Sequence, residues 1–357
     1  MKKGCFLLLI LITLTYAYQG YKVTEAYIHD KIKIKTSGKL SDIAGNVLPV
    51  PLETPGSGEI QHVRHVRRDG NHLFLLSDNR LLHFNIHGKF IRQIAHEIND
   101  ENDARITQYA LNTEIRQIIV IDSLRNVSKY DYNGNRISKE RIKHPWQNLT
   151  AFAFHDGYLW ISAETLVTSH DRPDACQIKH DLYQLDTDMN EISRQPLRIA
   201  DTGRERIFTG TCVSELLADE EGVYAYSPPF GTEHLLKDTL YITEQKKIPL
   251  LYPEKDTGTA CIYPVRKGMR YMISTCNNHA GHPFTFCYDQ LNFTAYLLPG
   301  GFRDDFFGTG YISDLQPVDM YNKSYCFIKS GRDIAKKYPA KAISEDQPVL
   351  FLVNLNA

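Results

Sequence analysis

A chain of 357 residues with 41 basic and 42 acidic side chains carries a formal net charge of −1. No long block of one sign interrupts that balance, which argues against nucleic acid as a partner. The 21 Tyr and 16 Phe, set against few Ala- or Leu-rich stretches, suit a pleated, half-buried surface better than a helical bundle, and an all-β chain of this length is compatible with one domain.

At the N-terminus, Lys2 and Lys3 precede an apolar run over 6–14, and short residues follow at Thr15 and Ala17. This order predicts a signal peptide over 1–17, cut after Ala17, and hence an exported protein, periplasmic or extracellular. The run falls short of the about 20 apolar residues that a spanning helix needs, so the mature chain is expected to have no transmembrane span. An uncleaved anchor reaching Tyr18 is the alternative. Cys5 stands before the run and is not placed to carry a lipid. The other cysteines, Cys176, Cys212, Cys261, Cys276, Cys287 and Cys326, are even in number, so disulfides and free buried thiols are both open. There is no C-x-x-C pair, and neither a metal nor a cofactor is expected.

A lead-in over 18–39 is followed by internal repeats. Asp69-Gly70 opens the run His72-Leu73-Phe74-Leu75, and Phe84-Asn85-Ile86-His87-Gly88-Lys89-Phe90-Ile91 follows. Shifted by about 46 positions, Tyr130 to Ile137 falls on Phe84 to Ile91, with Gly134 on Gly88. A third copy ends in Leu185-Asp186-Thr187-Asp188-Met189-Asn190-Glu191-Ile192. The polar-Gly hairpin signal returns at Asp156-Gly157, Glu221-Gly222 and Lys267-Gly268; versions without glycine fall at Glu114 to Arg116 and at Asn322-Lys323. Gly210-Thr211, Gly258-Thr259 and Gly308-Thr309 keep the same phase, each opening a run toward the next hairpin.

A period near 50 built from four short strands predicts an all-β, six-bladed β-propeller over 40–357, with four-stranded antiparallel blades. The blades are expected at 59–95, 105–142, 147–197, 206–251, 258–298 and 306–354. The sixth is short of one strand. Val47-Leu48-Pro49-Val50-Pro51-Leu52 is expected to supply it by pairing with Val349 to Asn354, and its prolines suit an edge strand.

The order of a short N-terminal strand, D-G-x followed by four apolar residues, and F-x-x-x-G-K-F resembles the six-bladed β-propeller proteins of the Bacteroidetes cell envelope. Residues 40–52, 69–94 and 118–137 carry the likeness. Many of those proteins are lipoproteins, and a Gly-rich segment often follows their first blade; here 97–105 has no glycine and the lipid-bearing cysteine is missing. The resemblance implies the fold more than the activity.

In such a ring the B–C and D–A connections share one face. The B–C links are tight in the first two blades, near 77–80 and 123–126, whereas blades 3 to 6 have long ones at 163–181, 227–236, 277–282 and 330–347. Long connections in a compact domain point to function. The candidate ligand-binding residues there are His170, Asp171 and Arg172 in blade 3, Arg204 and Arg206 before blade 4, Phe230 and His234 in blade 4, His279 and His282 in blade 5, and Arg303 and Tyr338 around blade 6. His and Asp can serve acid–base chemistry, Arg grips carboxylates and sulfates, and exposed aromatics stack on sugars. Solvated loop positions and inter-blade salt bridges are the plainer accounts. Neither a G-x-S-x-G elbow, an H-E-x-x-H pair nor a Walker loop is found. The expectation is a binding module, with a glycan or another envelope protein as partner, acting through the long-loop face of blades 3 to 6. The alternative is a carbohydrate-active hydrolase, lyase or lactonase with its site in the central channel.

Overall fold

The computed structural model describes residues 33–56, 58–96, 105–144, 146, 148–168, 176–201, 215–219, 222–226, 233–236, 242–245, 270–277, 283–289, 291–292, 294–319, 324–335, 345 and 347–356. β1 (Lys33–Lys35) and β2 (Ala44–Pro51) flank a 3-10 turn at Leu40–Asp42. Blade 1 is β3 (Val63–Asp69), β4 (His72–Ser77), β5 (Arg80–Asn85) and β6 (Phe90–His96). Blade 2 is β7 (Ile106–Asn112), β8 (Gln117–Asp122), β9 (Asn126–Asp131) and β10 (Arg136–Arg141). Blade 3 is β11 (Asn148–His155), β12 (Tyr158–Thr168), β13 (Cys176–Leu185) and β14 (Glu191–Asp201). Blade 4 is β15 (Glu215–Asp219), β16 (Gly222–Tyr226), β17 (Glu233–Leu236) and β18 (Ile242–Gln245).

In blade 5 the described strands are β19 (Tyr271–Asn277), β20 (Pro283–Asp289) and β21 (Thr294–Pro299), and β1 lies parallel beside β21. Residues 33–35, within the expected lead-in, thus belong to a blade. A hairpin of β22 (Phe302–Asp304) and β23 (Gly310–Ile312) leads to blade 6: β24 (Gln316–Asp319), β25 (Ser324–Lys329), β26 (Val349–Leu355) and β2. Gly308-Thr309 sits in the turn of that hairpin, ahead of β24 rather than in it. The one described α-helix, α1, spans Gly331–Ala335.

The central strands read as unbroken apolar runs because both of their faces are covered. Leu73 and Leu75 of β4 enter the core shared with blade 6, while Phe74 and Leu76 enter the core shared with blade 2. β8 repeats the device: Ile118 and Val120 face blade 1, and Ile119 and Ile121 face blade 3. The two-residue period therefore feeds two cores at once. Each such Leu or Ile, removed from water, contributes about 2–3 kcal/mol. The cores are radial seams between blades, not one central mass.

The turns follow the repeat equally closely. Asn85 Oδ1 accepts hydrogen bonds from the His87 and Lys89 N–H groups, each 3.0 Å. Asp186 Oδ1 does the same for Asp188 and Asn190 at 2.8 Å, and Asp131 takes the Asn135 N–H at 2.8 Å. The turn then needs a left-handed residue, supplied by Gly88 (φ 81) and Gly134 (φ 79); in the third copy Met189 adopts φ 67 itself.

β2 closes the ring. It pairs antiparallel with β26 from Ala44↔Leu355 to Pro51↔Val349, and Pro49 and Pro51 sit on the edge strand of that sheet. The seam continues into blade 1, where Glu53 N–H donates to the Gly88 carbonyl at 2.8 Å and Glu53 Oε2 accepts the Phe90 N–H at 2.9 Å.

Candidate functional site

At four described junctions the first strand of one sheet meets the first strand of the next: β24 meets β3, β3 meets β7, β7 meets β11, and β11 meets β15. These strands form the inner ring around the axis. The face that carries the B–C and D–A connections is uneven. Blade 1 closes there through Asp78 and Asn79, and blade 2 through Ser123 to Arg125, with Asp78 (φ 53) and Arg125 (φ 65) making the bends.

Blade 3 behaves differently. The stretch 163–181, expected as a loop, is mostly strand: β12 and β13 pair from Leu159↔Leu185 to Thr168↔Cys176, and β14 follows β13 out to Asp201↔Gln177. The Glu-Thr-Leu-Val-Thr run of β12 is β-prone, and it continues the ladder past the end of the blade as a three-stranded arm. Leu166 and Val167 on this arm are exposed. At its base Asp181 is fully buried; its Oδ2 accepts Arg194 Nε at 3.0 Å and also Arg194 Nη2, with Lys179 Nζ 3.8 Å away. The paired carboxylate holds the Arg194 guanidinium above its ordinary pKa, against the opposing effect of its burial.

The connection between blades 5 and 6 is ordered by two carboxylates. Asp304, buried, accepts the Phe306, Phe307 and Thr309 N–H groups at 3.1, 3.0 and 2.9 Å and the Thr309 hydroxyl at 2.6 Å. Asp305 accepts Ser41 N–H at 3.1 Å and its hydroxyl at 2.6 Å, which ties this loop to the segment before β2. Both carboxylates are occupied with backbone support. Arg303 between β21 and these residues presents an exposed side chain, and its N–H donates to the Gly38 carbonyl at 2.9 Å.

A cleft of about 90 Å³ opens at the junction of blades 6 and 1, lined by Val63, Ser313, Asp314, Gln316, Cys326 and Lys329 among others. Sites for drug-sized ligands run to about 300 Å³ or more, so this one accommodates a small polar group. Lys329 Nζ donates to the Tyr311 carbonyl at 2.6 Å, and burial lowers its pKa despite Asp333 and Asp304 nearby. Gln316 Nε2 donates to Asp314 Oδ2 at 2.6 Å. Cys326 is a free, buried thiol whose pKa burial pushes far up, and Cys287 is likewise free and buried. Both are unreactive in that state.

Of the residues expected to bind ligand, His170, Asp171, Arg172, Arg204, Arg206, Phe230, His279, His282 and Tyr338 lie outside the described residues. His234 is in β17, where its backbone pairs with Ala225 and Glu244, and Arg303 is in β22. Among the described residues no three His, Cys, Asp or Glu side chains are grouped so as to hold a metal ion, and no helix is long and apolar enough to cross a membrane.

Sequence reasoning passed over the inner strand of blade 1. β3 carries Arg64, His65, Arg67 and Arg68 in seven residues, and a bulge between Arg64 and Arg67 puts His65 at φ 50. The dense charge in a strand destined for the axis was the available signal.

Comparison with known proteins agrees with this architecture. A chain from Bacteroides fragilis NCTC 9343, inferred to be exported, is similar over 91% of this chain and 100% of its own, with a TM-score of 0.65 at 15% identity. The Swd1 β-propeller domain of Myceliophthora thermophila (8% identity, 87% and 100% covered, TM-score 0.45) and the Pan2 WD40 domain of Neurospora crassa (13%, 84% and 90%, 0.43) are more remote. No curated protein matches the chain. A family model described as six-bladed beta-propeller, DUF5128, matches residues 21–248. With six four-stranded sheets, a ring sealed by β2 and that match, the chain belongs to the DUF5128 six-bladed β-propeller family.

Proposed function

We propose that this propeller is an exported, non-enzymatic binding module of the cell envelope that engages a glycan or another envelope protein through the long-loop face of blades 3 to 6. One observation carries the reading: β12, β13 and β14 run 10 to 11 residues and continue past the blade as an arm, while the β4–β5 and β8–β9 links of blades 1 and 2 on the same face are tight turns. Strands longer than the barrel of the ring requires add nothing to its closure, and they present Leu166 and Val167 to solvent. The buried Asp181 carboxylate, held by Arg194, fixes the arm's base, so Leu166 and Val167 are carried on a paired strand. Export rests on the leader-like order of residues 1–17.

The test is to shorten the arm. Glu164 and His180 are register partners, so replacing 165–179 by Asn-Gly should leave a hairpin and an intact blade. The full chain and the shortened chain are then compared on a glycan panel and on isolated envelope proteins. Loss of binding with an unchanged melting transition is the expected result. Equal binding by both chains would remove the arm from the interaction. Turnover of glycoside, polyuronate or lactone substrates by the full chain would instead favour the enzyme reading.

A further inference from the structure

The inner strand of blade 1 carries positive charge that no described carboxylate neutralises. Arg64 Nη2 donates to the Ile106 carbonyl at 3.0 Å and lies 3.4 Å from the Asp78 carbonyl, so this side chain sits at the mouth of the axis, beside the tight link of blade 1. Arg67 Nη1 donates to the carbonyls of Pro317 at 3.2 Å and Val66 at 3.1 Å, reaching across to blade 6. All four acceptors are uncharged. Among the described residues no carboxylate lies within 4.0 Å of either guanidinium. Each planar fork has five N–H donors, and among the described residues one nitrogen of each is engaged.

Between them the backbone is bent. The bulge gives His65 a left-handed φ of 50, which costs a residue with a Cβ about 1–2 kcal/mol. Tyr109 of blade 2 holds it there: its hydroxyl reaches the His65 carbonyl at 2.5 Å and the Phe74 carbonyl at 2.8 Å. Bulges of this kind re-aim side chains beside functional sites. Burial first, and then the charges of Arg67 and Arg64, hold the His65 pKa down at about 4, so at neutral pH the ring is an uncharged hydrogen-bond donor between two cations.

We propose that Arg64, His65 and Arg67 form a seat for an oxyanion at the mouth of the central channel, taking the carboxylate, sulfate or phosphate group of a ligand. Two guanidinium forks offer the planar, charge-assisted donors that such groups select. The half-buried setting strengthens them beyond their worth in water. The bound anion supplies the negative charge that the described residues do not, offsets the two arginine charges that act on His65, and accounts for the strained residue between them. This seat stands on blade 1 and is independent of the arm on blade 3.

The experiment uses the full chain and follows its melting with sodium sulfate, phosphate or glucuronate against sodium chloride at matched ionic strength. At least one oxyanion is expected to raise the melting temperature along a saturable curve. Arg64→Gln and Arg67→Gln should each weaken that binding about tenfold or more, as loss of a charge-assisted fork does, and Arg64→Lys should restore part of it. Arg67 also bridges blades 1 and 6, so Arg64→Gln, whose contacts lie at the rim, keeps the result readable if Arg67→Gln melts early. A response to glucuronate alone assigns a uronate-type carboxylate, and one to sulfate or phosphate alone assigns a tetrahedral oxyanion. No stabilisation beyond chloride, or equal binding by the parent chain and Arg64→Gln, overturns the proposal.

Discussion

A β-carbon added to Gly88 would lie 2.0 Å from the carbonyl oxygen of Pro51. The turn of blade 1 thus touches the backbone of the closing strand β2, and nothing larger than a hydrogen fits between them. Gly134 occupies the same place in the repeat, at φ 79 against φ 81, yet its nearest atom is 3.5 Å away. Gly88→Ala is expected to lower stability by about 3 kcal/mol or more, because strain and a backbone clash add. Gly134→Ala should show only the left-handed penalty of about 1 kcal/mol. Urea unfolding of the two variants checks the difference.

Deleting residues up to Glu53 removes Val47, Val50 and Leu52, all buried in the seams on either side of blade 6, together with every β2–β26 hydrogen bond. The expected outcome is loss of cooperative unfolding, not a small drop in midpoint. A truncated chain that still melts sharply would show that the ring closes without its borrowed strand.

Acid should weaken the fold before any carboxylate titrates. His83 is buried between Phe74, His72, Arg92 and Tyr132, and its Nε2 lies 2.8 Å from His72 Nδ1. Burial, then the charges of His72 and Arg92, push its pKa down to about 4 from 6.5. Unfolding restores the ordinary value, so the unfolded chain binds a proton that the folded chain refuses. Stability is full above pH 6.5 and falls as the pH drops toward about 4, by as much as about 3 kcal/mol from this group. His65 adds in the same direction. His83→Phe keeps the ring stack and should flatten that part of the curve in chemical denaturation from pH 7.5 to 4.5.

The buried carboxylate at the base of the arm offers a separate test. Arg194→Met takes both guanidinium donors from Asp181 Oδ2, leaves Lys179 Nζ 3.8 Å away, and should lower stability by about 1–3 kcal/mol. Adding Asp181→Leu to that variant removes the orphaned charge and should recover most of the loss. A double-mutant cycle by denaturant melting measures the coupling.

How much of this was legible in the sequence depended on distance along the chain. The blades were legible because hairpins are local: Asn85, Asp131 and Asp186 announce their turns within four residues. Strand closure by Val47 to Leu52 was legible because the last blade lacked a strand, a deficit that counting reveals. By contrast, Lys33-Ile34-Lys35 is too short to signal a strand, and its parallel partner β21 lies more than 250 positions away. The arm of blade 3 was read as a loop because the tip between Thr168 and Cys176 holds turn-prone residues that mask the β-prone run before it. Arg64 and Arg67 gave up their meaning only when β3 was found on the axis, since charge in a strand normally marks a solvated edge. Of the residues singled out from the loops, Arg303 alone has a described side chain, and it is exposed, as a binding residue or a solvated one would be.

The strand that seals the ring has a consequence for the order of assembly. Val50 pairs with Leu350, and the two are about 300 positions apart. During synthesis β2 emerges early and must remain unpaired until β26 follows, with its backbone N–H and C=O groups exposed to any passing edge. Pro49 and Pro51 then serve a second purpose: they withhold two donors from wrong partners while the strand waits. The β2–β26 pairing thereby works as a chain-length checkpoint, because a chain that stops short of residue 349 lacks the partner strand for β2.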